Sequence, residues 1–145
     1  MPLEIKADKL LINFNIEDFE LELYPSISLL SKILITNEFE KFAIEMNSLW
    51  FEIDIFHRFF KQVKAIRNLE DELAELHDAS SKFHFSVDPK SSLSDLSVSL
   101  KIKKSIDHNI IDFNYSFKQD RDFINVLYYK LEKFIAEIPK SNLKN

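Results

Sequence analysis

The side chains with the widest chemical repertoire in this chain are four histidines, His57, His77, His84 and His108, and 24 carboxylates. His77, Asp78 and His84 stand close in sequence, but their spacing matches no helix-borne ligand pair. His84 also falls on the outward phase of an alternating segment, so no metal site is expected. Glu52 with Asp54, and Asp120 with Asp122, have the composition of an acid–base pair. Carboxylates so spaced are commonplace on solvated faces and at helix starts, where they suit the dipole. No serine has neighbours that would activate it as a nucleophile. Asn114-Tyr115-Ser116 matches a glycosylation sequon, but it lies mid-strand in a chain with no visible secretory signal. No residue is therefore singled out as catalytic, cofactor-binding or metal-binding, and no cofactor is expected.

Glycine and cysteine are both absent. About ten glycines would be expected at an average usage of about 7%. Phosphate-cradling loops, dinucleotide fingerprints and nucleophile elbows all need glycine, so those classes are excluded. Turns that need positive φ are expected to use Asn or Asp. The composition, rich in Ile, Lys, Asn and Phe, is what AT-rich coding tends to produce. Without cysteine there are no disulfides or thiolate metal sites, which fits a reducing compartment. No run of apolar residues is long enough to span a membrane, and a cytoplasmic location is expected.

The formal net charge is −5. Residues 1–80 hold 16 acids against 8 bases, and residues 81–145 hold 8 acids against 11 bases. An acidic first half disfavours nucleic acid and favours a basic protein surface as partner. The sharpest charge feature is the run Glu70, Asp71, Glu72, Glu75 and Asp78. Such a run is either the solvated face of a short helix or a docking patch for a basic partner, which it would steer into place.

The elements that must position these groups are read from periodicity. Residues 9–16 and 19–23 alternate apolar and polar, with Glu17-Asp18 as a tight turn between them, which predicts a hairpin. Residues 27–36 and 40–46 predict two further strands. Residues 48–66 carry two apolar stripes, Leu49-Ile53-Phe56-Phe60-Val63 and Phe51-Ile55-Phe59-Ile66, which predict a long buried helix. Trp50 falls in its first turn, Asn47 or Ser48 would cap its start, and Asn68 its end. Leu69, Leu73 and Leu76 predict a short helix over 69–78. Residues 82–88, 95–103 and 110–118 alternate as three strands, with turns at 89–94 and 105–109. Asp120 would cap a final helix over 121–138, and Pro139 stops it. The tail 140–145 is expected to fray.

The fold expected is a single α+β domain over 1–145. It comprises a mostly antiparallel sheet of about 6–7 strands, with one long central helix, a short helix and a C-terminal helix packed on one face. No internal repeat, linker or low-complexity segment is visible.

Several stretches resemble the WapI-like family of bacterial immunity proteins. They are Leu49-Trp50-x-x-Ile53-x-x-Phe56-x-x-x-Phe60, Leu73-x-x-Leu76-x-x-Ala79, Phe83-x-Phe85-x-Val87 and Ile111-x-Phe113-x-Tyr115-x-Phe117, followed by Asp120 and the last helix. The resemblance covers about residues 28–138 and rests mostly on core positions. Where the family carries a glycine in the turn at 89–95, this chain has none. The resemblance implies a non-enzymatic protein that binds and neutralises a cognate toxin domain by occlusion, and the acidic charge of the chain makes a basic toxin, such as a nuclease, the expected target. It implies no catalytic residues. The alternative is a small-molecule-binding domain or enzyme with a pocket between the long helix and the sheet, lined by some of the 14 phenylalanines. A third reading is a subunit of a larger assembly that uses an exposed strand edge.

Overall fold

The computed structural model describes residues 2–90 and 94–139. The chain runs β1 (Leu3–Ala7), β2 (Leu10–Glu20), β3 (Ser26–Thr36), β4 (Lys41–Glu52), α1 (Ile53–Arg67), β5 (Ala74–His77), β6 (Phe83–Asp88), β7 (Asp95–Ile106), β8 (Asn109–Asp120) and α2 (Phe123–Glu137). The strands form two four-stranded antiparallel meanders, β1-β2-β3-β4 and β5-β6-β7-β8. Each meander is followed by a helix of 15 residues.

This corrects the expected architecture of one sheet of 6–7 strands with three helices. There are eight strands in two sheets and only two helices among the described residues. The helices do not lie together on one face of one sheet. They pack on each other, α1 also against β5 and β4, and α2 against β1.

The inner faces are built from register rows. Ile5, Ile12, Ile33 and Ile44 line up across the first sheet, and Leu76, Phe85, Leu100 and Tyr115 across the second. Rings join the two sheets: Phe83 of β6 meets Phe14 of β2 at 5.4 Å and Phe51 of β4 at 5.9 Å, both edge to face. Phe56 of α1 touches Phe51 and, across the helix pair, Phe134 of α2. Phe59 of α1 meets Phe85 of β6. All of these rings are buried in one continuous core. At the β4–β8 side the sheets are pinched by Phe42 stacked on Phe113 at 4.3 Å. Polar ties finish the helix layer. Arg121 donates to the Ile66 carbonyl near the end of α1, and Arg67 lies over the rings of Tyr128 and Tyr129.

Two β-bulges explain most of the differences from expectation. β2 is one strand, not a hairpin: its register shifts between Ile16 and Asp18, so Glu17 is the extra residue of a bulge rather than half of a turn. Downstream the inward set passes from Phe14 and Ile16 to Phe19 and Leu21. β4 does the same opposite Leu29 and Ser31, with Ser48 at φ 56°. Its inward set changes from Phe42, Ile44 and Met46 to Leu49 and Phe51. That change of phase turns strand alternation into an apparent helical stripe. Trp50 therefore lies in β4, and α1 begins only at Ile53, with Glu52 rather than Asn47 or Ser48 at its N-cap position. The Glu17 carboxylate pins both bulges, accepting from the Ser48 N–H at 2.9 Å and from the buried Ser28 hydroxyl at 3.3 Å.

The short helix over 69–78 is also absent. Asn68 is the C-cap of α1, and Leu69 takes φ 65°. Leu69 N–H donates to the Ile66 carbonyl and Glu70 N–H to the Ala65 carbonyl, a Schellman closure. The helix cannot continue through it. The next apolar pair, Ala74 and Leu76, alternates inward as β5. α2 starts at Phe123 with Asp122 at the cap position, and Asp120 accepts from the Asp122 N–H at 2.9 Å instead of capping. The tail 140–145, expected to fray, and the centre of the 89–94 turn lie outside the described residues. Positive φ is met by Asp8 and Asp107, as expected, but also by Ser48, Leu69, Ser81 and His108.

Candidate functional site

The end of the molecule where α1 begins carries the most distinctive exposed surface. The β2–β3 connection turns through residues 21–25, with Ser26 Oγ donating to the Tyr24 carbonyl at 2.8 Å. Pro25 accepts the Ile53 N–H at 2.9 Å, which fixes the connection to the first residue of α1. Leu21 packs onto the core, so its neighbours Leu23 and Tyr24 are turned out, 81% and 76% exposed. Trp50, on the outer face of β4 opposite Ser28, is 36% exposed. Leu23, Tyr24, Trp50, Ser26, Glu20 and Glu22 line one open depression. Beside it, Glu52, Ile55, His77, Asp78, Ala79 and Ser81 line a second, narrower one. The Trp50 carbonyl accepts the Ala79 N–H at 2.7 Å, so one residue anchors both rims.

This surface is apolar at its centre and acidic at its margin. It holds a tryptophan, a tyrosine and a leucine, with Glu20, Glu22 and Glu52 exposed around them. Its chemistry is that of contact: aromatic anchors within a ring of carboxylates.

The acidic run is divided by the fold. Glu70, Asp71 and Glu72 are exposed on the connection after α1. A 15-residue helix spans about 22 Å, so they lie at the opposite end of α1 from Trp50. Glu75 faces outward on β5, with its carboxylate 3.8 Å from His84 Nε2. Asp78 is only 3% exposed. Its carboxylate accepts from the N–H groups of Lys82, Phe83 and Ser80, at 2.8, 2.9 and 3.3 Å, and so holds the β5–β6 connection in shape. Asp78 is thus a structural carboxylate, and Glu70, Asp71, Glu72 and Glu75 are the members of the run that remain at the surface.

The other sequence candidates are also placed. Glu52 and Asp54 stand at the start of α1, and Asp120 and Asp122 at the start of α2. His77 and His84 are cross-strand neighbours with stacked rings, and His108 sits in the β7–β8 turn. The described residues contain no group of three or more His, Asp or Glu side chains arranged to hold a metal. Asn114 is exposed on β8, and Ser116 Oγ lies 3.0 Å from Ser99 Oγ. None of the helices described is long and apolar enough to cross a membrane.

Sequence reasoning missed the Leu23–Tyr24–Trp50 cluster because it placed Trp50 in a buried helix. The signal that could have found it was Glu20-Leu21-Glu22-Leu23-Tyr24-Pro25, where alternation continues past the strand into a proline-ended turn. No family model matches the chain, and no curated protein matches it.

Proposed function

We propose that the protein binds and neutralises a basic protein partner, as a bacterial immunity protein blocks its cognate toxin domain, and that the Leu23–Tyr24–Trp50 cluster is the anchor. The observation that carries this reading is the cluster itself. Leu23 and Tyr24 are exposed on a connection held by Leu21 in the core and by the Pro25 carbonyl at the start of α1, beside Trp50 and within a margin of Glu20, Glu22 and Glu52. Tryptophan and tyrosine dominate binding hot spots, and an acidic margin accelerates encounter with a basic surface and rejects acidic competitors. A nuclease domain, whose substrate surface must be basic, is the class of toxin that fits, and occlusion of that surface is the mode of action. On this reading the protein works in the cytoplasm and is not an enzyme. The small-molecule alternative has no comparable support, because buried rings meet across the interval between α1 and the sheets, Phe56 against Phe51 and Phe59 against Phe85.

Co-expression with the products of adjacent genes tests the proposal. One neighbour is expected to be a basic domain that is lethal alone, tolerated beside this chain and recovered with it in stoichiometric complex. Trp50→Ala is expected to weaken that complex by about 30-fold, the loss of a hot spot worth about 2 kcal/mol. Charge reversal at Glu70, Asp71 and Glu72 separates the second patch. If affinity and its salt dependence are unchanged, that patch takes no part. If no neighbouring product is toxic and none binds, the reading fails.

A further inference from the structure

β8 is the last strand of its sheet and is 12 residues long. β7 pairs with one of its edges, and no described strand pairs with the other. A long, unbroken free edge is a template for another strand. The equivalent last strand of the first sheet is different: β4 is bulged, and the Lys104 ammonium donates to its Glu45 carbonyl. β8 has no bulge against β7, and its inward side chains, Phe113, Tyr115 and Phe117, are only half-buried. Their rings form a ladder with centroids 6.4 and 5.1 Å apart. The row is therefore continuous, aromatic and only partly covered, Phe113 by the stacked ring of Phe42.

The sequence of this strand is complementary to itself. If two copies of β8 run antiparallel with Tyr115 opposite Tyr115, then Asp112 of each lies opposite Lys118 of the other, and Phe113 lies opposite Phe117. Each of these pairs occurs twice. The charged pairs fall on the outer face and the aromatic pairs on the inner one, because side chains alternate with period two. A slip of two residues one way sets Asp112 against Asp120, and the other way against Ser116. The Tyr115-centred register combines two opposite-charge pairs with two Phe–Phe pairs. The charge order also continues across the sheet, since Asp112 already has Lys103 of β7 beside it.

We propose that two copies of this chain associate through β8, antiparallel about Tyr115, joining their second sheets into one continuous eight-stranded sheet. The occupant of the free edge is a second copy, and the Asp112–Lys118 charge complementarity sets the register. This is independent of the partner-binding reading, because the Trp50 cluster draws on β4 and the β2–β3 connection of the first sheet, and β8 belongs to the second.

Sedimentation of the full chain across the micromolar range is expected to show a monomer–dimer equilibrium. Lys118→Asp and Asp112→Lys each place like charges opposite one another twice, and each is expected to raise the dissociation constant by about tenfold or more. The double variant Asp112→Lys/Lys118→Asp restores opposite charges and is expected to recover the dimer, with circular dichroism confirming that all three fold. The chain has no cysteine, so Tyr115→Cys provides a second measurement. A cysteine opposite its own copy is expected to cross-link under oxidation, whereas Asp112→Cys, opposite Lys118, is not. A chain that stays monomeric overturns the proposal, even if a strand of another protein later takes the edge. So does a dimer indifferent to both single charge reversals, or a double variant no tighter than the singles.

Discussion

The first half of the chain runs four antiparallel strands into α1, and the second runs four into α2, with both helices 15 residues long. The order of elements repeats although no repeat is visible in the residues. The sheets differ in regularity. The first shifts register in β2 and in β4, while β5 to β8 pair without a shift. A bulge adds a residue, bends the strand and reverses the inward–outward phase beyond it. In the first sheet the two bulges share one carboxylate, Glu17, and the far end of β4 presents Trp50 on the outer face. In the second sheet an unshifted register leaves β8 with a regular edge and a row of half-covered rings. One plan thus yields two surfaces. One is an irregular end with exposed aromatics, and the other a regular edge suited to pairing. Irregularity in a sheet is a means of aiming side chains, and regularity is a means of offering backbone.

The comparison can be broken at the joint between the halves. Phe83 is fully buried and meets Phe14 and Phe51 of the other sheet. Phe83→Ala is expected to cost about 3–5 kcal/mol, read as a fall in the urea midpoint. If the halves fold as one unit, fluorescence of Trp50 in the first sheet and far-ultraviolet dichroism will still report a single transition. Two separated transitions would mean that each ββββα half is stable alone.

A smaller effect sharpens the difference between the sheets. Glu17→Ala removes the acceptor for the Ser48 N–H and the Ser28 hydroxyl. It is expected to cost about 1–2 kcal/mol, and faster hydrogen exchange should appear in β2 to β4 while β6 to β8 stay protected. Equal loosening in both sheets would show that the carboxylate does not act through the bulges. The smallest expected change is a gain. Leu69 is 79% exposed and sits at φ 65°, where a side chain is unfavourable. Leu69→Gly is expected to stabilise the protein by about 0.5–1 kcal/mol, the relief of strain being partly offset by backbone entropy. A thermal midpoint that falls would show that the leucine makes a contact worth more than that strain.

Legibility in the sequence followed the same division. Residues 82–88, 95–103 and 110–118 alternate without interruption, and all three are strands in the structure, with the last two running a few residues longer. The stripe Phe123, Leu127, Leu131 and Phe134 marks α2 because its faces have opposite polarity over four turns. Residues 48–52 and 69–78 were not legible. In the first, the bulge at Ser48 brought Leu49 and Phe51 into phase with the true helix beyond them. In the second, β5 has only four residues, too few for its period to be told from leucines spaced three and four apart. The acidic run was visible as composition, but the burial of Asp78 was not, because it depends on backbone N–H groups from residues 80–83 converging on it.

By itself the sequence determined the antiparallel character, the regular strands of the second half, the last helix and the absence of glycine- and cysteine-based chemistry. These are properties of single segments, in which side-chain period follows directly from backbone geometry. Only the tertiary structure decided that there are two sheets rather than one, where the extra residues sit in β2 and β4, which way Trp50 faces, and that β8 is the last strand of its sheet among the described residues. Each of those depends on a neighbouring strand, because a bulge and an edge are defined by the partner a strand has or lacks.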